Sequence, residues 1–251
     1  MALDPRTNPA RTDCEQCPLR EMKSFREFTP GELQFVARFK RGELNADAGS
    51  TIVVEGSASA HLYTVLNGWG FRYKILEDGR RQILNYVVPG DMIGLQGAVM
   101  KEMQHSVEAL TPMTLCVFER ERLYSLFENH AGLAFDITWI ASREESILDE
   151  HLLSVGRRTA LERAAYLLAF LYERGRPHRQ LNNTGRTIPV TQIHVADTLG
   201  LSIVHTNKTL RKLAARNLIR WLDRGCEILD PEGLAELANW QFAEIENRPF
   251  I

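Results

Sequence analysis

The chain has 251 residues, of which 44% are hydrophobic and 25% are charged, which is the composition of a globular protein rather than of a disordered or fibrous one. It carries 30 Lys and Arg residues against 32 Asp and Glu residues, and a net charge of −2 taken alone argues against a nucleic-acid-binding protein. The longest apolar run, 164–172, is too short to cross a bilayer, and the first residues lack the apolar core of a signal peptide. These features predict a cytoplasmic protein with no membrane partner.

The charge is divided unequally along the chain. The stretch 157–224 holds 13 Lys and Arg residues against four acids, so its net charge is +9, and the remainder of the chain balances at −11. A basic region of this size can bind phosphate groups, whereas an acidic region repels them. We therefore expect a C-terminal part that contacts nucleic acid, joined to an N-terminal part with a different task.

An irregular arm is predicted for residues 1–28, which show neither helical nor strand periodicity. A short helix is expected next, because Thr29 and Glu32 have the spacing of a capping box and Pro30 takes the first helical position. Four cysteines in a cytoplasmic chain favour metal ligands or redox-active thiols over a disulfide framework. They are Cys14 and Cys17, which form a Cys-x-x-Cys pair in the arm, Cys116 and Cys226.

Short β-rich runs separated by turn signals dominate residues 50–121. Asn67-Gly68 and Asp78-Gly79 favour the positive φ angles of tight hairpins. The strands are predicted at 51–54, 62–66, 70–76, 82–88 and 114–118. Such a pattern indicates a compact antiparallel β-roll or barrel, and we assign residues 29–130 to this sensor domain.

A long helical region follows at 119–156, with a break expected at Gly132. Its apolar residues recur at spacings of three and four, which favours packing against a partner helix, and a second copy of the chain is the simplest partner. The seam comprises Ala134, Ile137, Ala141, Leu148, Leu152 and Val155, with Glu144 or Glu145 at the position between Ala141 and Leu148. The alternative is a helix that lies on its own β-roll. We predict a dimerisation helix over 131–156 and a DNA-binding domain over 157–251.

The stretch 191–213 has the organisation of a helix-turn-helix, in which Thr191 caps the first helix, Gly200 supplies the turn and Ser202 caps the second helix. Strands at 219–222 and 227–229 would add a wing. The inward residues are predicted to be Ile193, Val195, Ala196, Leu199, Thr206, Leu210 and Leu213. The residues expected to contact DNA are Ser202, Val204, His205, Asn207, Lys208 and Arg211. The alternative, an ordinary helical hairpin, is disfavoured by the basic charge.

This order of β-roll, long helix and winged helix-turn-helix resembles the Crp/Fnr family of bacterial transcription regulators over residues 14–235. The motifs that carry the resemblance are Val65-Leu66-Asn67-Gly68, Asp78-Gly79-Arg80, Pro89-Gly90-Asp91-Met92-Ile93-Gly94 and Leu199-Gly200-Leu201-Ser202. The resemblance implies an α+β fold with an N-terminal cyclic-nucleotide-binding-like β-roll, a long dimerisation helix and a C-terminal winged helix-turn-helix. It also implies a homodimer on a palindromic operator in double-stranded DNA and contact with RNA polymerase. Activation is favoured over repression, and no enzymatic activity is expected.

Cyclic AMP is not an expected effector. Family members that bind it use a Glu for the ribose and an Arg-Ser pair for the phosphate, and the matching positions here hold Leu95, His105 and Ser106. Without the arginine, a buried phosphate would lack its main charge partner.

The Fnr branch of the family holds an iron-sulfur cluster with N-terminal cysteines and one cysteine on a later strand. Cys14, Cys17 and Cys116 match three of these positions, whereas Lys23 stands at the third N-terminal one. The resemblance therefore implies a cluster, [4Fe-4S] in form, that senses oxygen, nitric oxide or redox state. Its fourth ligand is left open among a carboxylate, a histidine, water and a small thiol.

Several alternatives to the cluster remain open at this stage. The same regulator could respond to a small organic ligand or to thiol oxidation without a cluster, and Cys116 could be a plain core residue. Haem has weaker support, because no spacing singles out a pair of histidines. A cupin-like metalloenzyme would need a histidine set on the barrel strands, and only His61 and His105 are available there.

Overall fold

The computed structural model describes residues 12–178, 181, 185–223, 225–242 and 247–251. Parts of three predicted regions lie outside the described residues, namely the start of the arm, part of the loop at 175–185 and Arg224 in the wing turn. The described arm contains two short 3-10 helices, Cys14–Gln16 and Pro18–Glu21.

Helix α1, Pro30–Phe39, begins at the predicted capping box. The backbone N–H of Glu32 donates to Thr29 Oγ1 at 3.3 Å, and the backbone N–H of Thr29 donates to Glu32 Oε2 at 2.8 Å. Arg26 donates to the carboxylates of both Glu32 and Asp136, so the start of α1 is tied to a residue more than a hundred positions further along the chain.

Residues 40–119 form the predicted β-roll from eight strands in two antiparallel sheets. The strands are β1 (Lys40–Ala46), β2 (Thr51–Val53), β3 (His61–Asn67), β4 (Gly70–Ile75), β5 (Arg81–Val87), β6 (Met92–Ile93), β7 (Ser106–Ala109) and β8 (Met113–Glu119). One sheet has the order β1-β8-β3-β6 and the other β2-β7-β4-β5. Five strands match the predicted runs. The sequence of β1 lacks a clear apolar alternation, which is why that strand was not predicted.

Helices dominate the next part of the chain. Helix α2, Leu95–Met100, connects β6 to β7, and α3 (Leu123–Asn129), α4 (Ala131–Arg157) and α5 (Ala160–Gly175) follow the roll. The break between α3 and α4 falls at His130, so the prediction of a break at Gly132 is wrong by two residues. A glycine is tolerated in the first turn of a helix whose neighbouring residues pack well.

Four of the six residues of the predicted apolar seam on α4 are exposed and available to a partner, but the first part of the seam is not. Ile137 is 2% exposed and packs with Leu133 in a core cluster that includes Phe39 and Phe118 of the same chain. Leu148, Leu152 and Val155, in contrast, are exposed. The prediction of one continuous seam is therefore wrong for the first turns of α4, where the helix lies on its own β-roll.

The C-terminal part forms the predicted winged helix-turn-helix. It comprises β9 (Thr187–Ile188), α6 (Gln192–Leu199), α7 (Ile203–Ala215), β10 (Ile219–Leu222), β11 (Gly225–Ile228) and α8 (Pro231–Leu237). Strands β10, β11 and β9 form one antiparallel sheet, which is the wing. No helix of the described residues combines the length and the apolar character that a membrane span requires.

The sensor and DNA-binding parts share one hydrophobic core. Trp69, Phe71 and Tyr86 of the β-roll belong to the same cluster as Leu168 of α5 and Val195 of α6. Polar contacts join α6 to β5 as well, because Arg81 Nε donates to Asp197 at 2.8 Å and Gln82 Nε2 donates to the carbonyl of Thr198 at 2.8 Å. The helix-turn-helix is therefore docked directly on the roll.

The segment 247–251 returns to the β-roll and lies beside the N-terminal arm. Arg248 forms a parallel bridge with Phe25, and its backbone N–H donates to the carbonyl of Ser24 at 2.8 Å. Phe250 is buried, with its ring centroid 5.0 Å from that of Phe25 and 4.8 Å from that of Phe28. The two far ends of the described chain are thus packed together.

Candidate functional site

The helix-turn-helix is built by two capped helices and one left-handed residue. Gly200 adopts φ 64° and ψ 34°, a conformation that glycine reaches without the steric cost of a Cβ. Ser202 Oγ accepts from the backbone N–H of His205 at 3.3 Å and so caps α7. The predicted inward residues are buried with one exception: Ile193 is 58% exposed, so its assignment to the core is wrong. It lies on the opposite face of α6 from Val195 and Leu199.

One face of α7 presents most of the residues that the sequence predicts for DNA contact. Five of the six are exposed: Ser202, Val204, His205, Lys208 and Arg211. Asn207 is half-buried in a small cavity beside Gln192 and Trp221, and its buried Oδ1 has no hydrogen-bond partner among the residues that the structure describes. In this conformation, Asn207 Oδ1 is therefore not available to a base edge.

The basic face extends further than the predicted set. Lys212 and Arg216 are exposed on α7 and its C-terminal end, and Lys212 lies one turn beyond Lys208. The spacing of four residues between the two lysines was the signal available in the sequence. In the wing, the guanidinium group of Arg220 pairs with the carboxylate of Glu227 at 2.6 Å. The charge of Arg220 is therefore already compensated within the protein.

Three of the four cysteines are brought to one side of the β-roll. Cys14 begins the first 3-10 helix of the arm, and Cys17 lies between the two 3-10 helices. Cys116 is in the middle of β8, directly opposite Glu43 of β1. The arm is held against this surface by Leu19, which is fully buried.

Lys40 is the charged group that these thiols share. Its side chain is 2% exposed, and its Nζ donates to Glu43 and to the carbonyl of Thr12, both at 2.7 Å. Burial opposes the charge on Lys40, but the bond to Glu43 and the nearby thiols of Cys116 and Cys14 outweigh burial and raise its pKa.

Burial favours the protonated form of two of these thiols, those of Cys17 and Cys116. Burial raises the pKa of Cys116 to about 12, against the opposing effect of Lys40, and Cys17 and Cys14 add to the rise. Burial also raises the pKa of Cys17. Because these groups act on one another electrostatically, Cys14, Cys17, Cys116 and Lys40 occupy one neighbourhood, which we call the cysteine site. Among the described residues, no three His, Cys, Asp or Glu side chains already stand where they could share one metal ion.

The two remaining cysteine-related positions lie outside this site. Lys23, at the third N-terminal position, is exposed. Cys226 is fully buried in β11 of the wing, where burial raises its pKa to about 12. A role for Cys226 at the cysteine site would require a contact between the wing and the surface formed by the arm and β8.

A cavity of about 560 Å³ lies between the β-roll and α4, and two of the three positions that match cyclic-AMP-binding residues line it. They are Leu95 and His105. Burial, and then Arg72 and Lys74, lower the pKa of His105 to about 3, so this side chain is uncharged at neutral pH. Ser106 Oγ accepts from the backbone N–H of Glu55 at 3.0 Å.

Comparisons with known proteins agree with this architecture. A cyclic nucleotide-binding domain model matches residues 43–130, and a Crp-like helix-turn-helix domain model matches residues 162–237. The chain is 34% identical to the nitrogen fixation regulation protein FixK of Rhizobium meliloti, over 76% of this chain and 84% of the relative. It is 29% identical to FixK of Bradyrhizobium diazoefficiens, over 90% of this chain and 93% of the relative. The solved structure of FixK2 from Bradyrhizobium japonicum has the same fold, with a TM-score of 0.68 and 24% identity over 80% of this chain and 98% of that one.

A β-roll sensor domain joined through a long helix to a winged helix-turn-helix defines a DNA-binding transcription regulator rather than an enzyme. The relatives have the same role. The chain belongs to the Crp/Fnr family of transcription regulators.

Proposed function

We propose that this regulator acts as a homodimer on a palindromic DNA site and senses oxygen, nitric oxide or redox state through an iron-sulfur cluster bound by Cys14, Cys17 and Cys116. The observation that carries the proposal is the cysteine site itself, where residues of the arm and of β8 share one neighbourhood around Lys40. A [4Fe-4S] cluster bound there would supply reactivity toward oxygen and nitric oxide.

The donor set fits such a cluster in its chemistry. Thiolates are the ligands that iron-sulfur clusters prefer, and a cluster with three or more thiolates carries negative charge. Lys40 supplies a buried positive charge beside these sulfurs. The high pKa of Cys116 means that iron must displace the thiol proton, so loading should release protons.

Glu43 is our candidate for the fourth ligand. It lies directly opposite Cys116 in the β1–β8 register, and side chains at such positions share one face of the sheet. Its carboxylate is held by Lys40 and by the backbone N–H of Thr12 at 2.8 Å, and the pKa of Glu43 is lowered by Lys40 in spite of partial burial. An ionised carboxylate is therefore already present at the cysteine site.

Metal and sulfide analysis of protein purified without oxygen tests the cluster. We expect brown protein with broad absorption in the blue and with iron and acid-labile sulfide in equal amounts. Cys116→Ser should lose both, whereas Cys226→Ser, a buried cysteine outside the cysteine site, should retain them. Colourless protein without iron after anaerobic reconstitution would refute the proposal.

The role of Glu43 has its own test. Glu43→Gln keeps the size of the side chain but removes the carboxylate charge, and we expect the variant to lose its blue absorption faster in air than the wild type. Glu55→Gln is a matched control, since Glu55 pairs with Lys74 at 2.7 Å on the opposite sheet. Equal rates of loss in Glu43→Gln and the wild type would exclude Glu43 as the fourth ligand.

The exposed stripe on the second half of α4 supports dimerisation. Leu148, Leu152 and Val155 follow one another at spacings of four and three, so they lie along one side of the helix. Leu152 is 73% exposed, and together with Leu148 and Val155 it forms an apolar patch of the kind that marks interaction surfaces. We propose that this stripe packs against the same stripe of a second chain.

Sedimentation of the purified chain tests the dimer. Leu152→Glu should shift the protein from dimer to monomer, because the two glutamates would meet across a two-fold axis. Leu76→Glu, which changes another exposed leucine at the end of β4, should remain dimeric. A wild-type monomer at micromolar concentration would refute the proposed dimer. Contact with RNA polymerase stays a prediction.

A further inference from the structure

The first turn of α7 exposes two apolar side chains. Val204 is 61% exposed and Ile203 is 41% exposed, and both follow directly on Ser202, which caps the helix. A single exposed apolar side chain is common on protein surfaces. In a helix-turn-helix, however, the N-terminal residues of the second helix are those that contact base edges. The chemistry of these two side chains therefore bears on which bases the protein reads.

Val204 lies on the same side of α7 as two of its cations. Lys208 and Arg211 follow it at spacings of four and three residues, and both are exposed. Lys212 and Arg216 extend the positive charge to the C-terminal end of the helix. Basic residues beyond the first turn can bind the phosphate backbone, which positions a helix on the duplex without reading its sequence. The first turn, with Val204, would then meet the base edges.

Helix α7 offers no carboxylate to the bases. The segment Ile203–Ala215, which the structure describes in full, contains neither Asp nor Glu. A carboxylate is the group that accepts a hydrogen bond from the amino group of cytosine in the major groove. The side-chain oxygen of Asn207, which could accept from the amino group of adenine, is buried. Neither of these acceptors is therefore presented at the surface of α7.

Thymine is the base that carries an apolar group in the major groove, its C5-methyl group. A valine placed against an amino group or a carbonyl would displace water without replacing the lost hydrogen bond, which costs free energy. Against a methyl group, the same valine buries apolar surface and so stabilises the complex.

We propose that Val204 is a specificity-determining residue, which selects a thymine in each half-site through contact with the C5-methyl group. The inference rests on the proposed binding of a palindromic DNA site, and it adds a base that each half of this site must contain. The basic residues of α7 supply affinity for the duplex, and Val204 discriminates among the sequences that the duplex can have.

Selection from a pool of random duplexes with the full chain, purified without oxygen, provides the DNA. We expect a two-fold-related site with a thymine in each half-site. Replacement of that thymine by deoxyuridine removes the methyl group alone and leaves base pairing unchanged. Fluorescence anisotropy should show an affinity lowered roughly fourfold for one half-site and roughly fifteenfold for both, as expected for one buried methyl group per half-site. Deoxyuridine between the half-sites should have no effect.

Val204→Ala connects this effect to one residue. Alanine removes both γ-methyl groups and favours the helix, so the variant should fold. It should bind the thymine and deoxyuridine duplexes equally. Ile203→Ala is the matched control, because it shortens the neighbouring exposed apolar side chain, and it should keep the full preference for thymine. Val204→Glu should select cytosine in place of thymine, since its carboxylate can accept from the cytosine amino group.

The possible outcomes separate this inference from the proposed function. A pool that yields no enriched sequence would refute the proposed palindromic site and the role of Val204 together. An enriched site that binds equally with thymine and with deoxyuridine at every position would overturn the role of the methyl group and leave the proposed function intact. Loss of the preference for thymine in Ile203→Ala, with retention in Val204→Ala, would overturn the assignment to Val204.

Discussion

The buried carboxylate of Asp91 should be one of the strongest single contributors to the stability of this protein. It follows β5 in the β-roll, and it contacts Arg174 of the DNA-binding part and Arg248 of the segment 247–251. Its Oδ2 also accepts from the backbone N–H of Val88 at 2.8 Å. Burial favours the neutral acid, but the charges of Arg174 and Arg248 outweigh burial and hold the pKa of Asp91 well below its usual range.

Asp91→Asn keeps the shape of this side chain and removes its charge. Two guanidinium groups would then remain buried beside each other without a carboxylate, and loss of one partner from a buried ion pair costs about 3–5 kcal/mol. A domain of ordinary stability has only about 5–15 kcal/mol in total, so the loss should be a large fraction of it.

Urea unfolding followed by circular dichroism measures the effect. The control is Asp78→Asn, which removes the charge of an exposed aspartate that pairs with Arg80 at 2.8 Å. We expect the unfolding midpoint of Asp91→Asn to fall sharply and that of Asp78→Asn to remain at the wild-type value. If the two variants unfold at the same urea concentration, Asp91 does not hold the three parts of the chain together.

Three further outcomes are expected. Lys208→Ala should weaken binding to the specific DNA site by about 1–3 kcal/mol, measured by fluorescence anisotropy, whereas Lys101→Ala on the β-roll should not. The free energy of unfolding should fall as the pH drops from 6.5 toward about 3, because His105 takes up a proton in the unfolded chain and not in the folded one. His105→Gln should reduce the slope of this free energy against pH by up to one proton. An unchanged slope in the variant would contradict the prediction. Thr206→Val should leave stability equal or raise it by about 1 kcal/mol in urea unfolding, because Thr206 Oγ1 is buried and has no hydrogen-bond partner within the described ranges. A clear loss of stability would indicate a bond to this hydroxyl.

Local signals in the sequence predicted the elements well where one residue determines the backbone. The capping box at Thr29 begins α1 and the left-handed Gly200 ends α6, as expected, because the interactions involved span only a few residues. The face of a helix was harder to predict. Periodicity identified Ile137 and Leu152 as one apolar set, but it does not say which surface covers each residue, and only the tertiary structure separates them.

Residues that are distant in the sequence but close in the structure could not be grouped from the sequence alone. The cysteines could be grouped by resemblance, but the position of Lys40 between them depends on the pairing of β1 with β8. Arg143, Arg174 and Arg248 lie on three separate elements, and each looks like an ordinary surface arginine in the sequence. Their convergence on one cavity depends on how α4, α5 and the segment 247–251 pack on the roll.

The packing of the segment 247–251 against the arm means that the sensor half is not a self-contained folding unit. A fragment that ends with α4 would lose Phe250 and Ile251 from its core and would expose Phe25 and Phe28 to water. Thr64, in the centre of β3, would also lose the backbone oxygen of Ile251 as its acceptor. Dissection of this regulator into halves therefore requires that the last residues be supplied in trans or fused to the sensor fragment.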